Sequence, residues 1–282
     1  MNTQSNSSSN RSELIKTLAI IIITGIGLPV SGSLLIGIHD PQWIVIHEPI
    51  HSIVEISGCF IAIMVATVLL FFIKDDVCPK RHYFAYALIA MGLLDGLHAA
   101  VSPGILFVWL HSVATFIGGG LFFLVWTNKF EHQSPKHWWI AIPVLLFGIL
   151  SIIFQQQLPA MITDGQFTPI ARMLNIGGGL FFYLAVIKLI HHYLLSKDKT
   201  YLIFAIHCSL FGTAGFLFEL SSIWDGAWWW WHFLRFVAYL ILGEFVYIIY
   251  QKTSKAYLKK LIDERRRAEE ANLASMMAQD WV

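Results

Sequence analysis

Runs of about twenty apolar residues recur along most of the chain, separated by short polar connections, and a run of that length spans a bilayer as a helix. Eight such stretches can be drawn, at 14–37, 49–73, 83–102, 105–126, 138–155, 169–194, 202–223 and 228–250. The first holds Gly25, Gly27, Pro29 and Gly32, which predict a kink there. The fifth has Pro143 one turn inside it. Residues 1–12 are rich in Ser and Asn and predict a disordered cytoplasmic N-terminus. Residues 251–282 change character, with KTSKAYLKKLIDERRRAEEANLASMM rich in Lys, Arg, Glu and Ala and free of Gly and Pro. That pattern predicts a charged cytoplasmic helix continuing the last span. The expected fold class is all-α: a polytopic membrane protein with about eight transmembrane helices in hairpin-like repeats over 13–250, plus this C-terminal helix.

Basic residues orient the spans, because Lys and Arg accumulate in cytoplasmic loops. One set of connections carries Arg11 and Lys16, then Lys74, Lys80 and Arg81, then Lys129 and Lys136, then Lys197 and Lys199, then the tail from Lys252. The alternate connections, near 38–48, 103–104, 156–168 and 224–227, carry none. The alternation predicts an even number of spans with both termini in the cytoplasm. Trp43, Trp109, Trp224 and Trp228 to Trp231 then fall at outer ends, where interfacial tryptophans belong.

Composition agrees. The chain has 282 residues, 56% of them hydrophobic and 13% charged, with a mean hydropathy of +0.63 and a net charge of +1. A soluble domain carries about 25% charged residues. Too little charge is present to cover a polar exterior, and no net field would attract nucleic acid. The main partner is therefore the lipid bilayer. Cys59, Cys78 and Cys208 form neither a disulfide framework nor a Cys-x-x-Cys metal knuckle.

A heptapeptide repeats: Ile117-Gly118-Gly119-Gly120-Leu121-Phe122-Phe123 recurs as Ile176-Gly177-Gly178-Gly179-Leu180-Phe181-Phe182. Three adjacent glycines strip side chains from a patch of helix and predict a close helix contact.

Polar residues gather at one depth, within about two turns of the outer surface at 1.5 Å per residue. His51 and Glu55 share a face of the second span, and Asp95 and His98 share a face of the third. His111 is on the fourth span and Arg172 begins the sixth. Glu219 ends the seventh, and His232 and Arg235 share a face of the eighth. Ionisable groups inside a membrane are costly and are functional candidates by default. Three readings of this layer stand side by side. It is an interhelical network that fixes packing; or a polar pocket for a small ligand; or a metal or haem site built from His51, His98, His111 and His232. Imidazole suits copper, zinc and iron, and nearby carboxylates can orient it. No nucleotide-binding loop, zinc-protease helix or nucleophile elbow occurs, so no catalytic domain is expected in this chain.

The strings IHEPIHSIVEISGCFIAIMVATVLLFF, LIAMGLLDGLHAAVSPG and LFVWLHSVATFIGGGLFFLVW carry a resemblance. A His with a Glu four residues on, here His51 and Glu55, is followed by Leu-Leu-Asp-x-x-His, here with Asp95 and His98, before a small turn. Over roughly residues 30–250 the chain resembles the membrane-associated sensor domain of the third type, a multi-span module of bacterial histidine kinases and diguanylate cyclases. The DERRRAEEANLA segment at 263–274 is similar to linkers that feed kinase dimerisation domains. A kinase would continue into a phospho-acceptor His box, and no His follows His232 here. The resemblance implies a sensor in the bacterial inner membrane, multi-pass. It detects a periplasmic or membrane-borne stimulus and passes it through the last span to a cytoplasmic output domain. A homodimer through the C-terminal helix is part of that expectation. The alternative is a membrane redox or transport protein using the histidines as haem or metal ligands.

Overall fold

The computed structural model describes residues 3–40, 42–73, 80–127 and 138–279, with side chains described between residues 12 and 271, Trp138 excepted. Among the described residues are nine α-helices: α1 (Thr3–Ile22), α2 (Leu28–His39), α3 (Glu48–Phe71), α4 (Arg81–Ala99), α5 (Ile105–Phe123), α6 (Trp138–Ile153), α7 (Pro169–Ser196), α8 (Lys199–Leu217) and α9 (Gly226–Gln279). A hairpin of two short antiparallel strands, β1 (Ile162–Thr163) and β2 (Gln166–Phe167), precedes α7. Among the described residues the fold is all-α apart from this hairpin. Cys78, Lys74, Lys129 and Lys136 lie outside the described residues.

Among the described residues, six helical segments are long and apolar enough to cross a membrane: Ser12–His39, Glu48–Phe71, Ile105–Trp126, Pro169–Ser196, Lys199–Leu220 and Gly226–Ala271. This is the pattern of a multi-pass membrane protein. Two of the eight expected stretches are not among them. α6 is only 16 residues long and contains Pro143. α4 carries Arg81, His82, Asp95 and His98, and most of it from His82 to Ala99 is buried against other helices. A helix surrounded by protein does not need the apolar surface that lipid demands.

The chain divides into two units, Met1–Gly243 and Glu244–Val282. In the first, α3 packs on α4, α4 on α5, α5 on α7 and α7 on α8, with α6 against α4. The repeated glycine triplets lie at these contacts. A Cβ on Gly119 would meet the Gly178 carbonyl oxygen, and a Cβ on Gly178 would meet Thr115 backbone at 2.6 Å. The two copies of the motif therefore face each other across the α5–α7 contact. Between α1 and α2 the backbone is wound as a π-helix over Ile23–Gly27 instead of breaking. The wider turn frees the Gly25 carbonyl, which accepts from the Thr213 hydroxyl of α8.

Local chemistry explains several helix ends. His47 N-caps α3, its Nδ1 accepting from Ile50 N, with Pro49 in the first turn. Thr168 followed by Pro169 does the same for α7. Lys197, left-handed at φ 58°, closes the C-terminus of α7, and Asp198 then caps α8. The Arg81 guanidinium donates to the carbonyls of Leu69, Leu70 and Ile73 at the C-terminal end of α3. Asp225 caps α9, accepting from Trp228 N at 2.7 Å and from Ser222 N at 2.6 Å. Burial pushes its carboxyl above the usual carboxylate range, opposed by those backbone donors.

The second unit is the distal part of α9. Its exposed surface carries pairs one turn apart, Lys260 with Glu264 at 3.7 Å, Arg265 with Glu269 at 3.0 Å and Arg266 with Glu270 at 3.8 Å. Each such pair adds about 0.3–0.5 kcal/mol, enough to favour helix in a segment that buries little.

Candidate functional site

One end of the first unit holds a buried polar network drawn from α3, α4, α5, α7 and α9. His51, Glu55, Asp95, His98, His111, His232 and Arg235 are all at most 3% exposed. The structure brings these seven together. His51 Nε2 lies 3.2 Å from His232 Nε2 and 3.3 Å from His98 Nε2. His51 and Glu55 meet the others because they lie on one face of α3, one turn apart.

The protons on two of these rings follow from their partners. A backbone carbonyl can only accept, so His98 Nδ1 donates to Phe107 O at 2.7 Å. His232 Nδ1 likewise donates to Trp228 O, one turn earlier on α9, at 2.8 Å. In their neutral forms both rings then present an unprotonated Nε2 to His51. Aromatic faces close the site: Trp228 and Trp231 stand 3.8 Å and 3.7 Å from the His232 ring, and Phe107 lies 4.0 Å from His98.

Arg235 anchors the other half. Its Nη2 donates to Asp95 Oδ2 at 2.6 Å, and its Nη1 donates to His111 Nδ1 at 2.5 Å. Tyr239, one turn further along α9, donates to the same Asp95 oxygen at 3.0 Å. Glu55 Oε1 stands 3.5 Å from Arg235 Nη1 and 3.6 Å from His232 Nε2. Both distances exceed an ordinary hydrogen bond, so Glu55 lies between the guanidinium and the imidazoles without being bound closely to either. Behind His111, Asn175 donates to Ser112 at 2.8 Å and ties α7 to α5.

The remaining expected site residues sit elsewhere. Arg172 and Glu219 pair with each other at 2.8 Å, each about one-third exposed, and no contact that joins the seven buried residues includes them. Of the four histidines expected as ligands, His51, His98 and His232 converge, whereas His111 is turned to Arg235. Glu55 takes the fourth place: one donor atom each from His51, Glu55, His98 and His232 lies within 4.8 Å of all the others. A haem does not fit between these rings. They touch one another, and the void beside His98, His111 and His232 measures only about 10 Å³.

No family model, curated protein or solved structure matches the chain.

Two contributors were missed in the sequence. Tyr239 was legible, because it sits four residues after Arg235 on the same helix. The β1–β2 hairpin was legible too. Asp164 and Gly165, at φ 51° and 77°, form the two-residue turn that an Asp-Gly pair between strands predicts. The hairpin places Phe167 on Phe218, ring centroids 4.0 Å apart, and both line the void beside the histidines.

Proposed function

We propose that the chain is an integral-membrane sensory module whose buried His/carboxylate network is the receiving site and whose last helix carries the response. The observation behind this reading is that α9 supplies both His232 and Arg235 to the network and continues as helix to Gln279. A change in charge or occupancy at the network alters the partners of Arg235, and therefore the packing of α9. Bistable helix packing amplifies such small shifts.

In this reading the chain has eight spans, the two beyond the six apolar segments being the short α6 and the protein-wrapped α4. It lies in the bacterial inner membrane with both termini in the cytoplasm, and the network faces the periplasmic leaflet. The chain itself performs no catalysis. It pairs as a homodimer through the distal part of α9 and drives an output domain of the histidine kinase or diguanylate cyclase type. The resemblance to the third type of membrane-associated sensor domain supports the same assignment. A redox role through haem is disfavoured by the contact between the rings.

The test is a fusion of residues 1–279 to a diguanylate cyclase that needs dimerisation. His51→Gln and His98→Gln should change cyclase output several-fold while membrane insertion and detergent monodispersity stay as in the unsubstituted fusion. Unchanged output from correctly inserted variants would sink the sensory reading.

A further inference from the structure

We propose that His51, His98, His232 and Glu55 bind a single tetrahedral divalent ion of the zinc type, through three Nε2 atoms and one carboxylate oxygen. This deepens the sensory reading by naming the class of ligand at the same site, and it rests on that reading only for its consequence, not for its binding chemistry.

Three observations carry it. The first is an imbalance of protons. With the Nδ1 hydrogens of His98 and His232 committed to backbone carbonyls, both Nε2 atoms are lone-pair donors. His51 Nε2 faces both, at 3.2 and 3.3 Å, and as a neutral ring it has at most one hydrogen for two acceptors. A cation among the three nitrogens resolves this, because every lone pair then points at positive charge.

The second is size. A tetrahedral site with bonds of about 2.0–2.1 Å has ligand–ligand edges of about 3.3–3.4 Å. Three edges here measure 3.2, 3.3 and 3.6 Å, the last from Glu55 Oε1 to His232 Nε2. The widest separation in the group stays within 4.8 Å, so small side-chain movements close the tetrahedron.

The third is the surrounding charge and support. Two of the histidines already have the carbonyl partners on Nδ1 that fix the orientation of metal-bound imidazoles. Asp95 is matched by Arg235, whereas Glu55 is held closely by no donor, which leaves one carboxylate for an incoming cation. The N₃O donor set favours a borderline dication. Thiolate and thioether, which would select copper(I), are absent from the group.

The experiment uses the full chain purified in detergent, stripped with chelator and loaded with zinc or cobalt(II) chloride. One ion per chain is expected by elemental analysis, with a zinc-dependent rise in melting temperature. Cobalt should give the intense visible bands of four-coordinate geometry. His98→Gln and Glu55→Gln should weaken zinc binding, His98→Gln by more than about 100-fold, beyond the loss seen on removing an outer partner. His111→Gln should keep the stoichiometry of one. If His98→Gln is not monodisperse, Glu55→Gln and the cobalt spectrum of the unsubstituted chain decide the matter.

Several results would overturn the proposal: no ion retained after dialysis, a six-coordinate cobalt spectrum, a haem Soret band, or full zinc affinity in His98→Gln or Glu55→Gln. A network that merely takes up protons would retain no metal and would fail at the first measurement. Binding and signalling fail separately. A chain that holds zinc but leaves cyclase output unaltered refutes the sensory role alone. A chain that signals but holds no ion refutes the metal site alone.

Discussion

At the scale of single residues the network turns on Arg235. It is 3% exposed and meets Asp95, which is fully buried. Removing one partner of a buried ion pair leaves the other charge without compensation, at a cost of about 3–5 kcal/mol. Arg235→Met should therefore lower the stability of the detergent-solubilised protein by that order, measured by chemical or thermal unfolding. Adding Asp95→Asn should restore part of the loss, because the stranded charge disappears. If the double substitution is as unstable as the sum of the two single ones, the pair is not coupled as its 2.6 Å contact requires. The proposed metal ligands differ from this pair. His51, His98 and His232 stand in an arrangement that suits bound cations better than an empty core, so their conservative replacement should affect ion binding more than folding.

At the scale of elements the glycines divide into those that make room and those that do not. Gly178→Ala puts a methyl 2.6 Å from the Thr115 carbonyl oxygen, and backbone cannot step aside as a side chain can. A loss of about 1–3 kcal/mol is expected, as for overpacking elsewhere. Gly120 belongs to the same triplet copy as Gly119, yet a methyl group at that position would meet nothing within 4 Å. Gly120→Ala should leave stability unchanged or raise it by about 0.4–1 kcal/mol, by restricting the unfolded chain. Paired melting curves of the two variants test the assignment, and equal effects would place the α5–α7 contact wrongly. The hairpin gives a third case. Gly165 has φ 77°, so Gly165→Val should strain the turn and loosen the cover that Phe167 forms over the void, by roughly 1–2 kcal/mol. Faster hydrogen exchange over 161–168 would report it.

At the scale of the whole molecule the prediction is topological. The asymmetry of Lys and Arg predicts the β1–β2 turn on the outside and the distal part of α9 on the inside. A cysteine introduced at Asp164 should react with an impermeant thiol reagent in intact cells, and one at Ser254 only after lysis, with Cys59, Cys78 and Cys208 replaced in both. Labelling of both from the same side would refute the orientation. The distal helix leaves Tyr257 and Leu261 exposed, at 64% and 43%, one turn apart on one face. If that face is the dimer seam, Leu261→Glu should shift the fusion toward monomer in sedimentation and lower cyclase output together.

What the chain determined without its tertiary structure follows from sums along one segment. The transfer of an apolar run into lipid adds up residue by residue, so α3, α5, α7, α8 and the first part of α9 could be drawn from composition alone. Spacing along one helix is equally local, which is why His51 with Glu55, and the contact role of Gly119 and Gly178, were legible. Where a helix is buried by protein the same sum misleads, as α4 shows: its polar residues lower its hydropathy although it lies among the others. The meeting of helices was settled only by packing. Asp95 and His98 share a face of α4, yet Asp95 goes to Arg235 and Tyr239, while His98 goes to His51 and Phe107. Nor could spacing tell that Arg172 and Glu219 would pair apart from the network, or that Glu55 and not His111 would stand beside the three imidazoles. Those choices depend on the rotation of each helix about its axis. That rotation is set by the fit of side chains from several helices at once, which no single segment of sequence contains.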